Sequence, residues 1–279
     1  MREIESKLIT DTVARLCVEA NIHLPRDMKQ CICKFRQEET WPQAQDILDR
    51  IVENYEIAAR EQMPVCQDTG MAVVFMKIGQ DVHILGNLED AVNAGVRKGY
   101  GDGYLRKSVV RDPLDRVNTG DNTPAVLHVE LVPGDRVEIT VAPKGFGSEN
   151  MSAIAMLRPS DGVEGVKAFV LKTVEEAGPN PCPPIVVGVG IGGTFEKCAY
   201  LAKKALLRPV DESNQNPYYA DLEQELLAKI NDLGIGPQGF GGRTTALAVN
   251  IETYPTHIAG LPVAVNISCH VTRHKTEVL

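Results

Sequence analysis

The spacing of hydrophobic residues changes once along the chain, near Pro64, and this change limits the possible folds more than any other feature. Before Pro64, apolar residues from Ile4 onward recur at helical spacing, so about the first 60 residues are predicted to form helices. Beyond it, short apolar and alternating segments lie between Gly-rich loops, which predicts strands mixed with helices. The expected fold class is therefore α+β (mixed α/β). One domain is expected over residues 1–279, with a helical N-terminal region at 1–62 and a mixed-sheet body at 63–279.

Individual elements follow from the same patterns. Strands are predicted at residues 71–78, 126–132, 136–142, 185–189, 244–251 and 261–267, and helices at residues 87–98, 163–176, 196–207 and 219–233. The turn Pro133-Gly134-Asp135 predicts a hairpin that pairs the strand after it with the strand before it. Residues 99–103 are expected to form a loop, and the apolar residues after Asn150 are expected to be helical. In the N-terminal region, Thr40 is expected to cap a helix.

Composition and charge exclude several classes of function. The net charge of −8 argues against non-specific nucleic-acid binding, and aromatic residues, at 5%, are too scarce for a base-stacking surface. No apolar run approaches the ~20 residues that cross a bilayer, and no secretory signal is visible in the first residues. A cytoplasmic protein with reduced thiols is therefore expected, with no nucleic-acid or membrane partner.

Three of the seven cysteines lie beside predicted strands. Cys66 begins a polar loop, Cys182 precedes two prolines and a strand, and Cys269 follows the last strand. Three thiolates brought together by folding can hold a metal cluster and leave one metal without a protein ligand. The residues alone leave a second interpretation open, in which all three are small buried hydrophobic side chains. The remaining cysteines are assigned to packing or surface positions: Cys17, Cys31, Cys33 and Cys198.

Several other residues have both a functional and a structural interpretation. Asp68 could take part in proton transfer beside a cluster ligand, or close an Asx turn. Arg106 suits bidentate binding of a carboxylate, or a structural ion pair. The loop 144–150 could bind an anion through its backbone amides, or form a simple turn. Residues 188–193 match G-x-G-x-x-G, but no acidic second strand follows, which disfavours dinucleotide binding. His257 is not distinguished from the other histidines by the sequence alone.

Six motifs follow one another along nearly the whole chain. They are Cys66-Gln67-Asp68-Thr69-Gly70, Asn118-Thr119-Gly120-Asp121-Asn122-Thr123-Pro124-Ala125, Lys144-Gly145-Phe146-Gly147-Ser148-Glu149-Asn150, Cys182-Pro183-Pro184, Gly192-Gly193-Thr194 and Gly239-Phe240-Gly241-Gly242-Arg243-Thr244-Thr245-Ala246-Leu247. In this order they resemble the class I, iron–sulfur fumarate hydratases. They are equally similar to the α subunits of the related tartrate dehydratases.

The resemblance implies a hydro-lyase with a [4Fe-4S] cluster held by Cys66, Cys182 and Cys269. The fourth iron of such a cluster binds the hydroxyl and carboxylate of a small dicarboxylate substrate. Asp68 and His257 correspond to residues that protonate the departing hydroxyl. The positions that correspond to substrate-binding residues are Gln67, Asp68, Arg106, the backbone around Gly145, Phe146 and Gly147, and Asn150.

Two features depart from the family pattern. Phe146 stands where family members often have glycine, which could alter the choice of substrate. Single-chain members also carry a further C-terminal domain with the catalytic base, whereas this sequence stops ten residues after Cys269. The chain is therefore expected to be the α subunit of a two-subunit enzyme. Its β subunit would supply the base and further substrate-binding residues, in an α2β2 hetero-oligomer.

The activity expected from this resemblance is the reversible hydration of fumarate to (S)-malate. The alternative within the family is the α subunit of L(+)-tartrate dehydratase, which converts tartrate to oxaloacetate and water. A nucleotide-binding oxidoreductase built on the glycine motif is a remote alternative from a different class, and a non-catalytic scaffold with buried thiols is another.

Overall fold

The structure, a computed structural model, describes residues 1–279. The chain divides into two compact units, each assembled from stretches that are separate in the sequence. The first unit contains residues 1–25, 55–146 and 273–279, and the second contains residues 26–54 and 147–272. Helices and sheets occur in both units, which confirms the expected α+β fold. None of the helices has the length and apolar character needed to span a bilayer.

The predicted strands and helices of the body are present with small shifts at their ends, except for the helix expected after Asn150. In chain order the elements are β1 (Arg2–Glu5), α1 (Ser6–Ile22), α2 (Arg26–Glu38), α3 (Pro42–Glu61), β2 (Met71–Gly79), β3 (Val82–Leu85), α4 (Leu88–Asp102), β4 (Val126–Val132), β5 (Val137–Lys144), α5 (Phe146–Glu149), β6 (Ala153–Leu157), α6 (Gly162–Ala177), β7 (Ile185–Gly192), α7 (Phe195–Ala205), α8 (Pro217–Asn231), β8 (Ala246–Tyr254), β9 (Leu261–Ser268) and β10 (Lys275–Val278).

The four-stranded sheet of the first unit has the order β10-β5-β2-β4. β2 is antiparallel to β5, with Val74 opposite Val141, and parallel to β4, with Met76 opposite Val129. The predicted hairpin between β4 and β5 is wrong, because β2 lies between them. β2 pairs on both edges and is buried along almost its whole length, whereas β4 is an edge strand with several exposed side chains.

Glycines on α4 allow α1 to approach closely in the first unit. A Cβ added at Gly95 would lie 2.7 Å from the carbonyl oxygen of Thr10, and one at Gly99 would lie 2.5 Å from that of Ala14. The helix continues through both glycines, so the loop expected at residues 99–103 is wrong. Glycine usually marks a turn in a sequence, but here its missing side chain makes a helix–helix contact possible.

The start of the chain differs from the expected helix. β1, which includes Ile4, pairs in parallel with β3, and α1 begins only at Ser6. Local periodicity could not reveal this strand, because its partner lies far along the chain. At the start of α3 the expected cap is wrong, because the Thr40 hydroxyl makes no hydrogen bond to the first turn. The Glu39 carboxylate accepts hydrogen bonds from the N–H groups of Thr40 and Trp41, which precede the helix, at 2.9 and 3.2 Å.

The second unit contains a four-stranded sheet in the order β6-β9-β7-β8. β7 is parallel to β8 and antiparallel to β9, and β9 is antiparallel to β6. The helix expected after Asn150 is wrong, because residues 153–157 form β6 and pair with β9. These residues alternate between half-buried and exposed positions, as expected for an edge strand.

The glycines of β7 serve the packing of α7. A Cβ added at Gly188 or Gly190 would overlap the carbonyl oxygens of Ala202 and Cys198, which lie on α7. The G-x-G-x-x-G match therefore has a structural explanation, because these glycines bring the helix backbone against the strand.

Two ends of the second sheet matter for the site. We call the end where β7 begins and β9 ends the cysteine edge, because Cys182 shortly precedes β7 and Cys269 directly follows β9. Val186 at this end of β7 pairs with Ser268 at the end of β9. The turn edge is the opposite end, where β8 finishes at Tyr254 and β9 starts at Leu261.

Candidate functional site

The second unit brings the segments that carry Cys182 and Cys269 to the same edge of its sheet. Cys182 lies just before β7, and Cys269 directly follows β9. The N–H of His270 donates a hydrogen bond to the carbonyl oxygen of Cys182 at 3.4 Å. Cys182 is exposed and Cys269 is half-buried, so neither is a sealed packing residue. The antiparallel pairing of β7 and β9 thus places these two predicted ligands at neighbouring positions.

The backbone of Cys182 adopts an unusual conformation. Its φ angle is +55°, in the left-handed region that a residue with a Cβ occupies at a cost of about 1–2 kcal/mol. The next carbonyl, that of Pro183, accepts two hydrogen bonds from Gln238, one from its N–H at 2.7 Å and one from its Nε2 at 2.8 Å. Strain of this kind persists only where surrounding contacts fix it, and it is frequent at functional sites. Gln238 was not identified from the sequence, because only the fold reveals its contact with the Cys182 loop.

The loop that carries Gln238 is anchored by a buried carboxylate. Glu39 is 2% exposed, and its Oε2 accepts hydrogen bonds from the N–H groups of Arg243 and Thr244 at 2.8 and 3.1 Å. Burial alone would raise the pKa of Glu39, but backbone hydrogen bonds from Trp41, Arg243 and Thr40 outweigh it and lower the pKa. No local sequence pattern indicates this role of Glu39.

The first unit carries Cys66 in the loop between α3 and β2. The N–H of Asp68 donates to the Cys66 sulfur at 3.4 Å, and the N–H of Gly70 donates to Asp68 Oδ1 at 3.0 Å. The second contact confirms the predicted Asx turn. The other oxygen, Asp68 Oδ2, accepts a hydrogen bond from the N–H of Phe146 at 3.0 Å. The Asp68 carboxylate is therefore fixed beside Cys66 by two backbone amides.

Buried donors hold the carbonyl groups of the same loop. The Tyr100 hydroxyl donates to the carbonyl oxygens of Thr69 and Gly70 at 2.7 and 3.1 Å, and Asn122 Nδ2 donates to that of Gly70 at 3.2 Å. Tyr100 and Asn122 are fully buried. Arg273 Nη2 donates to the carbonyl oxygen of Asp68 at 2.5 Å. Three consecutive carbonyls are thus taken by side chains, which turns the loop amides toward Cys66 and the Asp68 carboxylate.

The predicted anion-binding loop forms a single short helical turn, α5. Its first amide, that of Phe146, is engaged by Asp68. A Cβ at Gly147 would meet no atom within 4 Å, and the Phe146 side chain is 49% exposed. Asn150 is exposed at the end of this turn. Phe146 therefore adds bulk at the surface of the loop without closing the space around Gly147.

Gln67 and Arg106 are both exposed on the first unit. Arg106 is tied to the Cys66 loop by its backbone, because the Thr69 hydroxyl donates to the Arg106 carbonyl oxygen at 3.1 Å. Its guanidinium makes no hydrogen bond or ion pair with another residue of the chain. A positioned backbone with an unengaged cationic side chain suits the binding of a carboxylate from outside the chain.

The structure does not bring His257 to the cysteine edge. His257 lies in the turn between β8 and β9, where its Nδ1 accepts a hydrogen bond from the N–H of Ala259 at 3.2 Å. The neighbouring Thr256 hydroxyl donates to the carbonyl oxygen of Gly193, at the turn edge. Because the whole of β9 separates the turn from Cys269, the two are about 26 Å apart within one chain. His257 and Cys269 are close in sequence, but an extended strand spans the residues between them.

The other cysteines lie in different surroundings. Cys17 and Cys198 are fully buried on helices, as the sequence predicted for packing residues. Burial raises the pKa of both the Cys17 and the Cys31 thiols to about 12, which disfavours the thiolate that metal binding requires. None of the seven cysteines forms a disulfide.

The donor chemistry of Cys66, Cys182 and Cys269 fits a thiolate-held metal centre. All three are at least partly exposed, lie outside the helices and strands and remain outside disulfides. No group of three or more His, Cys, Asp and Glu side chains in the chain already has metal-binding geometry. Two of the three thiols share one edge of the second unit, and the third belongs to the first unit.

Comparison with known proteins gives a consistent match over most of the chain. Residues 10–278 match the family model described as "Fumarate hydratase (Fumerase)". The "L(+)-tartrate dehydratase subunit alpha" of Escherichia coli K12 is 34% identical over 272 residues, which cover 96% of this chain and 89% of the relative. A Methanocaldococcus jannaschii protein, whose provisional name is also L(+)-tartrate dehydratase subunit alpha, is 47% identical over 274 residues, which cover 95% of each chain.

Proposed function

Because the chain belongs to the fumarate hydratase (Fumerase) family, we propose that it is the α subunit of a two-subunit hydro-lyase that reversibly hydrates fumarate to (S)-malate. The observation that carries this proposal is the environment of Asp68. Its carboxylate is held by two backbone amides, and its own N–H is bonded to the sulfur of Cys66. A potential proton donor is thereby fixed next to a candidate cluster ligand.

The proposed cofactor is a [4Fe-4S] cluster held by Cys66, Cys182 and Cys269. Support comes from the family, from the partial exposure of these thiols and from the strained backbone of Cys182. When bound, such a cluster supplies Lewis acidity at the one iron that has no protein ligand. In this proposal Cys17, Cys31, Cys33 and Cys198 have no part in it.

Dehydration of malate requires a proton for the departing hydroxide and a base that removes a proton from the adjacent carbon. We assign the first task to Asp68. Its oxygens lie 3.0 Å from the amide nitrogens of Gly70 and Phe146, so the carboxyl group keeps one orientation during the transfer. The base is assigned to a β subunit, which accords with the words "subunit alpha" in the names of the relatives. An α2β2 assembly is the corresponding oligomer.

The substrate carboxylates are assigned to exposed groups near this loop. Arg106 offers a guanidinium with no partner inside the chain, and Gln67 is adjacent to Asp68. The backbone of Gly145, Phe146 and Gly147, together with Asn150, is the second proposed contact. The open space around Gly147 is compatible with that role.

The role proposed for His257 carries a geometric condition. Within one chain His257 lies at the turn edge, about 26 Å along β9 from Cys269. Its participation in proton transfer at the cluster therefore requires a His257 from another α chain of the assembly. The same assignment for Asp68 carries no such condition.

The second candidate function is that of an L(+)-tartrate dehydratase α subunit, which forms oxaloacetate and water. It is favoured by the names of both relatives described above. Tartrate differs from malate by one hydroxyl, and a site built to bind that hydroxyl would discriminate strongly against the substrate that lacks it.

The deciding experiment uses the α chain co-produced with its β subunit and purified without oxygen. Steady-state kinetics with (S)-malate, fumarate and L(+)-tartrate would give kcat/KM for each. The proposal expects a clear preference for malate and fumarate. A strong preference for tartrate would establish the second candidate instead, and a cluster-loaded complex without either dehydratase activity would reject both.

A further inference from the structure

Arg273 is a buried cation whose charge no carboxylate of the chain compensates. Arg273 is only 5% exposed. Its one hydrogen bond runs from Nη2 to the carbonyl oxygen of Asp68, at 2.5 Å. The Nε atom is buried and has no partner. A guanidinium in such a position normally faces an anion, because an unpaired buried charge is costly.

The acid nearest in the hydrogen-bond network does not supply that anion. The carboxylate oxygens of Asp68 are directed to the amides of Gly70 and Phe146, and only the main-chain oxygen of Asp68 contacts Arg273. Arg273 forms no ion pair with any other acidic residue. A bound anionic group is a partner that would compensate the charge of Arg273, which forms no ion pair within the chain.

Arg273 lies close to Cys66 by way of Asp68. The N–H of Asp68 is bonded to the Cys66 sulfur at 3.4 Å, while its carbonyl oxygen is bonded to Arg273. Because both bonds involve the backbone of one residue, the guanidinium is within about 10 Å of the Cys66 sulfur. At that distance, through a low-dielectric interior, two unit charges interact appreciably.

Two further features show that the Arg273 charge reaches this loop. Burial raises the pKa of Tyr100 above its ordinary range, and the positive charge of Arg273 acts in the opposite direction. Tyr100 itself binds the carbonyls that follow Asp68. A second cation, Lys144, is 7% exposed, and its Nζ donates to the carbonyl oxygen of Gly145 beside the Asp68 carboxylate. Two buried cations, Arg273 and Lys144, therefore lie beside this loop, on a protein with a net charge of −8.

We propose that Arg273 is a positioning residue that fixes the Cys66–Asp68 loop and supplies the counter-charge for the anionic iron–sulfur group bound there. Cluster binding by cysteines requires thiolates, so the loaded site carries negative charge. The Nε atom of Arg273 is buried without a partner, and the role assigned to Arg273 is electrostatic and positional rather than substrate binding. Its effect is exerted on the cluster, through charge, and on Asp68, through position. This inference rests on the proposed cofactor.

The direct test is the reduction potential of the cluster in the anaerobic α–β complex. Reduction adds a negative charge, and loss of a nearby cation makes it less favourable. Arg273→Gln is expected to shift the midpoint potential to a more negative value. The potential is measured by redox titration with EPR detection of the reduced cluster. Arg273→Lys keeps the charge and is expected to stay near the wild-type potential.

Two control variants separate charge from general disturbance. Tyr100→Phe removes a donor to the same loop without any change of charge, and Arg116→Gln removes an exposed arginine that is bonded only to the Pro113 carbonyl oxygen. Both are expected to leave the potential unchanged. Equal potentials for wild type, Arg273→Gln and Tyr100→Phe would overturn the counter-charge role.

A second measurement, the iron content per chain, shows whether each variant folds and binds the cluster. If Arg273→Gln does not load while Arg273→Lys does, the requirement for charge is supported. If Arg273→Lys also fails to load, the guanidinium shape alone is required and the counter-charge proposal is overturned. A wild-type complex that loads no cluster would instead refute the proposed cofactor, so the two failures are distinguishable.

Discussion

The N–H of Phe146 donates a hydrogen bond to Asp68 Oδ2 at 3.0 Å and thereby joins the Gly-rich loop to the Cys66 loop. The Gly70 amide binds the other carboxylate oxygen at the same distance. These two hydrogen bonds fix the orientation of the Asp68 carboxylate. The amide of Phe146 binds Asp68 while its side chain is half-exposed, so the Gly-rich loop accommodates a bulky residue at this position.

Replacement of Asp68 by asparagine tests the proposed proton transfer. The amide preserves size but cannot donate the same proton, so kcat for malate dehydration is expected to fall by roughly 10²–10⁴-fold. The measurement is steady-state kinetics normalised to cluster content. Asp112→Asn is the matched control, because Asp112 also closes a turn by accepting the amides of Leu114 and Asp115. An unchanged kcat for Asp68→Asn would remove Asp68 from the chemistry.

Gln238 is expected to protect the cluster by holding the loop of Cys182. Gln238→Gly removes the Nε2 bond to Pro183 but relieves a φ of +54°, so the unfolding free energy should change by less than about 1 kcal/mol. Iron should nevertheless be lost faster in air, and the rate of loss can be measured with a chelator that binds the released iron.

Gln62→Gly provides the control for this comparison. Gln62 has a φ of +53°, and its side chain donates to the Ala59 carbonyl oxygen, but it lies on the surface after α3. Its iron-release rate should equal that of the wild type. The same rate for the Gln238 variant would show that the bond to Pro183 does not matter for the cluster.

The glycine at position 190 is expected to be essential for folding rather than for nucleotide binding. A methyl group at Gly190 would overlap the Cys198 carbonyl oxygen, so Gly190→Ala should destabilise the chain by about 3 kcal/mol. Gly101→Ala, where the added atom meets nothing within 4 Å, should be neutral or slightly stabilising. Urea unfolding measures both. Full stability of Gly190→Ala together with lost NAD affinity would revive the dinucleotide interpretation.

The buried Cys17 thiol predicts a loss of stability at alkaline pH. Burial raises its pKa from 9.0 to about 12 in the fold. Below pH 9 the thiol is protonated in both the folded and unfolded states, so its full contribution is present. Between pH 9 and about 12 only the unfolded chain releases the proton, and the unfolding free energy falls as the pH rises.

Cys17→Ala should therefore show a shallower decline of stability above pH 9, although its stability at pH 7 is lower through lost packing. Denaturant unfolding at a series of pH values measures the two slopes. Equal slopes for the variant and the wild type would mean that the thiol does not titrate as described.

Local sequence patterns predicted the elements well and their arrangement less well. Strand and helix positions in the body follow from side-chain periodicity, which acts within a few residues. The pairing of β2 between β4 and β5, the strand β1 and the helical Gly99 depend on partners far away in the chain. The motif resemblance identified the Cys66 loop and the Cys182 loop. It could not reveal Gln238, Glu39 or Arg273, whose roles arise only from tertiary contacts.

Cys66, Cys182 and Cys269 are proposed to hold one iron–sulfur cluster together. Iron and acid-labile sulfide can be measured in the α–β complex, purified without oxygen, for the wild type and for a serine variant of each cysteine. About four irons and four sulfides per wild-type α chain are expected. Each of the three variants should lose most of its iron and sulfide, whereas Cys33→Ser should keep the normal content. A wild-type complex without iron and sulfide, or three variants with full content, would contradict the proposed cluster.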